Sequence, residues 1–332
     1  MRVGAVDCGT NSIRLLIADI DPATRVVTDV VRDLAVVRLG AGVDETGRLD
    51  PDRMAAALAM AGTYAARCRE FDVSAVRFVA TSASRDAANA AEFVAGVEAA
   101  FADSGIGPEV ITGAEEARLS FLGATGDLRS ALLPEPYLVV DIGGGSTEFV
   151  RGHDRVEAAV SLDMGCVRFT ERHLRSDPPT PAEIAAARAD AGALIAEAAT
   201  AVPFDGLGTL VGLAGSVTTV TAHALGLTAY DSTRIHLATL PAGVTRAAAR
   251  DLLSRTRGER AALPFMHPGR VDVIGAGALI WDAIVEAVVA RSGQLPIVTS
   301  EHDILDGIAL SLVPGVVASG DGDGPVSPHA PG

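Results

Sequence analysis

The chain opens on an apolar run, MRVGAV (1–6), which Asp7 and Gly9 interrupt before it resumes as IRLLIADI (13–20). An apolar run, a short polar turn and a second apolar run is the pattern of a β-hairpin. The same pattern returns at YLVVDIGGGSTEFV (137–150). When DCGTNSIRLL and DIGGGSTEFV are aligned, Asp, Gly and Ser coincide at the first, third and sixth places, and apolar residues at the ninth and tenth. The offset, 141 less 7, is 134 residues. The elements after each hairpin also correspond. Behind the first come a strand-like stretch at 25–39, a helix near 51–70, a strand at 75–80 and a helix near 86–102. Behind the second come a strand at 155–162, helices near 165–174 and 181–199, a strand at 209–214 and a helix from about 216. Such self-similarity marks an internal repeat. Strands alternating with helices in this order predict α/β halves with mixed sheets. DLRSALLPEP (127–136), with its two prolines, reads as a connector between residues 1–126 and 127–313. A helix at 303–313 is expected to close the second half, and the Gly/Pro-rich stretch 314–332 is expected to be disordered.

Composition narrows the chemistry. The length of 332 residues suits about two domains, and 48% hydrophobic residues give both of them a core. A net charge of −15 argues against a nucleic-acid or anionic-membrane binder, so any polyanionic ligand must be held by a local site. The apolar stretch 271–290 carries Asp272, Asp282 and Glu286 and reads as a buried amphipathic helix, not a membrane span. The sequence contains no lysine, so all 27 of its Lys+Arg cations are arginines. That excludes a Walker-type phosphate loop and Schiff-base chemistry, both of which need the amine. Phosphate recognition then falls to Arg, backbone N–H groups and metal. Cys8, Cys68 and Cys166 are scattered, which fits a reducing, cytoplasmic compartment. The seven histidines form no sequence cluster, so no zinc site is expected. Asp7 interrupts the N-terminal apolar run, so it does not read as a signal peptide.

The Asp-Gly turns carry the most chemistry. A strand that ends in Asp delivers a carboxylate to the end of a sheet, and the glycines after it let backbone approach a ligand closely. Turn N–H groups and the neighbouring hydroxyls then suit phosphate oxygens. Two such turns facing each other would clamp a chain of phosphates together with a carboxylate-held metal ion. Neither turn has the G-x-G-x-x-G spacing of a dinucleotide fold, and no G-x-S-x-G elbow is present. Farther along, Thr112 and Glu115 form a T-x-x-E helix start, which gives Glu115 a structural role. Glu116 is then turned about 100° away, free to face a cleft, although both acids are also what a helix N-terminus favours.

Both turns resemble the paired phosphate motifs of the actin, Hsp70 and sugar-kinase superfamily. Together with ATSASRDA (80–87), GAEEARLSFLG (113–123), MGCVRFTE (164–171), GLAGSVTTV (212–220) and RVDVIGAGALI (270–280), the chain resembles the exopolyphosphatase/guanosine-pentaphosphate phosphohydrolase (Ppx/GppA) family over residues 1–313. The resemblance implies two duplicated actin-like ATPase (ribonuclease H-like) domains, each a mixed sheet flanked by helices, with the active site in the interdomain cleft. It implies one phosphate loop at Gly9, Thr10, Asn11 and Ser12, and another at Gly143, Gly144, Gly145, Ser146 and Thr147. It implies Mg²⁺ (or Mn²⁺) on Asp141 and Glu148 with Asp7 nearby, Arg85 on phosphate, and Glu116 as catalytic base. Arg118, Arg168 and Arg270 are lesser candidates.

The activity so implied is Mg-dependent removal of the terminal phosphate from inorganic polyphosphate or guanosine pentaphosphate. Longer relatives carry helical C-terminal domains, and their lack here favours short chains or nucleotides. The alternatives are a small-molecule kinase on the same scaffold and a regulator that binds polyphosphate or alarmone without cleaving it. No nucleic-acid or membrane partner is expected, and a homodimer is compatible with the resemblance.

Overall fold

The computed structural model describes residues 1–314. In the first half, β1 (Arg2–Cys8), β2 (Ser12–Ile20) and β3 (Val27–Val36) form an antiparallel meander. Then come α1 (Val43–Thr46), α2 (Pro51–Glu70), β4 (Ala75–Ala80), α3 (Ser82–Asp86), α4 (Ala90–Ala100), β5 (Glu109–Val110) and α5 (Gly113–Ser130). The second half repeats the meander as β6 (Tyr137–Ile142), β7 (Thr147–Gly152) and β8 (Val156–Leu162). It continues through α6 (Cys166–His173), α7 (Pro181–Ala201), β9 (Thr209–Leu213), α8 (Ala214–Ala224), α9 (Ser232–Ile235), β10 (Ala238–Leu240), α10 (Ala242–Ser254), α11 (Arg257–Ala261), α12 (Ile274–Ser292), β11 (Ile297–Thr299) and α13 (Ile304–Ser311).

The two sheets share one topology. The first runs β3-β2-β1-β4-β5 and the second β8-β7-β6-β9-β11, with β10 added at its edge. In both, the central strand pairs antiparallel with the next strand in sequence and parallel with the strand that comes after the first helices. The duplicated α/β architecture expected from the sequence, two mixed sheets flanked by helices, is what the chain adopts. Local signals set the helix starts. Asp50 accepts hydrogen bonds from the N–H groups of Asp52 and Arg53 ahead of Pro51, and Thr180 with Glu183 closes a full capping box on α7. Among the described residues, no helix is long and apolar enough to cross a membrane.

Two helices cross the boundary that the prolines suggest. The 126/127 junction falls inside α5, because DLRS (127–130) holds no helix breaker and Leu128 is buried against the second sheet. Ala117, Phe121 and Ala124 of α5 pack there too, beside Tyr137, Val139 and Val211. Conversely, α13 does not cap the second half. Its Ile304, Leu305, Ile308 and Ala309 pack on Val3, Ala5, Leu16 and Ala18 of the first sheet. The helices meet at Gly123 and Gly307, where a Cβ would stand 1.9 Å from the carbonyl oxygens of Asp303 and Leu119 respectively. This exchange leaves each sheet covered by a helix from the other stretch of sequence. The expected disorder of 314–332 lies outside the described residues, Pro314 apart.

Candidate active site

The two hairpins meet. Each turn closes with the same hydrogen bond: Gly9 N–H donates to the Ser12 carbonyl at 2.9 Å, and Gly143 N–H to the Ser146 carbonyl at 3.0 Å. The glycines let them touch, since a Cβ on Gly144 would lie 2.8 Å from Cβ of Thr10. One cavity is lined by Asp7, Gly9, Thr10, Asn11, Ser12 and Arg14 from the first hairpin and by Asp141, Gly143, Gly144 and Ser146 from the second, with Glu116 between them.

Backbone bracing orients the loops. The carbonyls of Thr10 and Asn11 accept from Gly40 and Arg38, while those of Gly143 and Gly144 accept from Cys166, Val167 and Arg168 at the start of α6. Across a trans peptide the next N–H points the opposite way. Asn11, Ser12 and Gly144, all lining the cavity, therefore aim N–H groups away from their braces, as an anion site requires. Gly145 and Thr147 stand outside the cavity lining. The Gly145 carbonyl accepts from Arg168 Nε at 2.8 Å. Thr147 is fully buried and its hydroxyl donates to the Met164 carbonyl, so that side chain faces the core and not a phosphate.

The acids separate into two environments. Asp141 lies opposite Glu148 in the β6–β7 ladder, and Asp7 lies opposite Arg14 in the β1–β2 ladder. Directly opposed residues bring their Cβ atoms within about 5 Å. Asp141 accepts from the Ser120 hydroxyl at 2.7 Å and Glu148 from the Ser161 hydroxyl at 2.7 Å. Burial raises both carboxyls, and Glu148's charge raises Asp141 further, to about 8. Burial also raises Glu116 well above the ordinary range; Glu148, Asp141 and Asp7 add to this, and Arg85 opposes it. Asp7, in contrast, receives Arg14 Nε at 3.0 Å and Nη2 at 2.7 Å, and Arg14 also pairs with Asp303. Burial still raises Asp7, with Arg14 offsetting it only in part, while Arg14 holds Asp303 below the usual range against its own burial.

Arg85 Nη1 donates to Glu116 Oε2 and to the Ile111 carbonyl, both at 3.2 Å, so in this structure it faces the acid. Glu115 fills only half of a capping box. Its N–H donates to the Thr112 hydroxyl, while its carboxylate is taken by Arg77 and Arg118. That contact ties Arg118 to a neighbouring acid. Arg270 lines the cavity and donates to the Thr219 hydroxyl at 3.2 Å, whereas Arg168 bridges Asp44 and Asp86 across the halves. Sequence reasoning missed Arg14, Ser120, Ser161 and Asp303. Ser120, four residues after Glu116 on one helix face, was open to discovery by spacing. Ser161 and Asp303 carry no such signal.

The chain is thus a two-half α/β protein whose paired Asp-Gly turns close one cavity on buried carboxylates. The Ppx/GppA phosphatase family model matches residues 16–312, and the chain belongs to that family. It is 48% identical over 315 residues to Exopolyphosphatase 2 of Mycobacterium tuberculosis, a match covering 94% of this chain and 98% of the relative. Among solved structures it is similar to an exopolyphosphatase-like protein, with a TM-score of 0.87, 45% identity and coverage of 93% and 97% of the two chains. It is also similar to the Ppx/GppA family member of Aquifex aeolicus, with a TM-score of 0.76, 30% identity and coverage of 94% and 97%.

Proposed function

We propose that this chain is an exopolyphosphatase, which hydrolyses the terminal phosphoanhydride of inorganic polyphosphate and releases one phosphate per cycle. The observation that carries the reading is Glu116: buried, raised in pKa, and placed in one cavity with both Asp-Gly turns. The name of the Mycobacterium tuberculosis relative supports the same activity.

The turn N–H groups and the Ser12 hydroxyl hold the terminal phosphates between the halves, while the Thr10 hydroxyl braces its loop on Ser82 at 2.9 Å. Glu116 orients a water in line with the terminal phosphorus and takes its proton as the O–P bond forms. A carboxyl with a raised pKa is the stronger base, and Arg85 fixes its orientation. Asp141 and Glu148, with their serine hydroxyl partners, make an all-oxygen donor pair that fits a hard divalent cation. Mg²⁺ or Mn²⁺ on Asp141 and Glu148, with Asp7 close by, would neutralise charge on the phosphoryl oxygens.

A second cavity shares Arg14, Gly215, His267 and Arg270 with the first and continues it past Tyr230, Phe265 and Met266. That partly aromatic wall suits a nucleoside and favours guanosine pentaphosphate as a further substrate.

The test is phosphate release from short polyphosphate, long polyphosphate, guanosine pentaphosphate and ATP, with wild type beside Glu116→Gln. The variant is expected to bind substrate but turn over at least about a hundredfold more slowly. Equal rates would remove Glu116 from the mechanism. Transfer of phosphate from ATP to an added sugar, with little hydrolysis, would instead favour a kinase.

A further inference from the structure

Away from the cleft, three side chains distant in sequence converge. Asp127 lies in the last turn of α5, His236 comes directly after α9, and His302 lies between β11 and α13. Nδ1 of His302 stands 2.5 Å from Asp127 Oδ2, and Nε2 of His236 is 3.5 Å from the same oxygen. One ligand atom from each residue lies within 4.8 Å of the other two. The two imidazoles are stacked at a tilt, with ring centroids 4.7 Å apart. All three residues are half-buried: fixed by their surroundings, yet reachable from solvent.

Two imidazole nitrogens and a carboxylate form a borderline donor set. Such a set favours Zn²⁺ and its transition-metal neighbours over Mg²⁺, which asks for oxygen ligands. We propose that Asp127, His236 and His302 form a second metal site, which takes Zn²⁺ through Oδ2, Nε2 and Nδ1 with a fourth position left to water. The absence of a zinc motif in the sequence is no obstacle, because Asp127 and His302 are 175 positions apart and only the fold joins them.

Tetrahedral Zn²⁺ sets neighbouring ligand atoms about 3.3 Å apart. The His236–Asp127 separation already matches that spacing, and the His302–Asp127 pair opens by under about 1 Å as the metal replaces its shared proton. One existing contact must give way. The Glu301 N–H donates to Nδ1 of His236 at 3.3 Å, and a metal on Nε2 leaves the ring proton on Nδ1. The amide of Glu301 therefore turns away when the metal binds. That segment continues into Asp303, the partner of Arg14, so occupancy at this site reaches the first hairpin. The metal would also tie α5, which covers the second sheet, to the root of α13, which covers the first.

The experiment titrates the metal-free, full-length protein at about pH 7.5 with Zn²⁺ by calorimetry and with Co²⁺ by its visible d–d absorption. Wild type is expected to show tetrahedral-type Co²⁺ bands and one Zn²⁺ equivalent at this site, in addition to any metal taken by the cleft acids. The variants Asp127→Ala and His302→Ala should bind at least about tenfold more weakly. Glu148→Gln, altered only at the cleft, should keep the bands. If His302→Ala does not fold, His236→Gln gives the same reading, because its amide retains hydrogen-bonding capacity without binding zinc well. No binding by wild type would overturn the proposal and leave a His–Asp–His hydrogen-bonded cluster. Unchanged affinity in the folded variants, or loss of the bands in Glu148→Gln, would overturn it equally.

Discussion

The two hairpins have one backbone and opposite electrostatics. Both join an Asp-tipped strand to its neighbour through a Gly-N–H-to-Ser-carbonyl turn. At the eighth place of the motif, however, the first has Arg14 and the second Glu148, and each faces its own Asp across the ladder. The first hairpin carries its own cation, which also binds Asp303. The second presents two buried acids, with Glu116 as a third, and serine hydroxyls as hydrogen-bond donors. A duplicated fold has thus been divided into a half whose buried acid is paired with its own arginine and a half whose buried acids have hydroxyl partners.

The largest test of that contrast is to remove the built-in cation. Arg14→Met leaves Asp7 and Asp303 buried without their partner, and is expected to lower stability by about 3–5 kcal/mol. The shift in urea midpoint measures it, and a loss below about 1 kcal/mol would show that Arg14 does not hold the two acids as a buried cluster.

The acid-rich half gives a smaller effect of opposite sign. A carboxyl with a raised native pKa keeps a proton that the unfolded chain has already released, so stability falls as pH rises between the two values. Burial and mutual repulsion raise Asp141 to about 8, and Glu148 and Glu116 rise as well. The melting temperature of the metal-free protein should therefore decline from about pH 4.5 to about pH 8. Glu148→Gln should flatten that decline and melt several degrees higher, about 2–4 °C, at pH 8. A steeper decline in the variant would reverse the assignment.

The smallest effect belongs to the contacts between the halves. Arg168 and Arg172 of α6 both grip Asp44 of α1. Asp44→Asn is expected to cost only about 0.2–1 kcal/mol, with a difference from wild type that shrinks in high salt. A salt-independent loss would mean that the contact contributes by packing.

The hairpins were legible because their logic is local: an Asp at a strand end, glycines in the turn and a hydroxyl within six residues. Helix geometry left Glu116 free to face a cleft, and the family resemblance supplied its role. The role of Arg14 was not, because an Arg in an alternating strand reads as solvent-facing. Only α13, arriving from nearly 290 positions away, encloses it with Asp303. The same long-range packing explains why α13 leaves the half it was expected to close and why α5 runs past the expected connector. Thr147 was misread as a phosphate ligand, since sequence does not reveal that its hydroxyl is taken by the Met164 carbonyl. The short edge strands β5 and β10, of two and three residues, hold too few positions to show a period.

The most direct measurement of the central claim is Mn²⁺ binding to the metal-free protein at about pH 8, monitored by electron paramagnetic resonance, for wild type and Asp141→Asn. The account predicts a bound Mn²⁺ population in wild type that Asp141→Asn loses, with the variant still folded. Equal binding in the two proteins, or none in wild type, would contradict it.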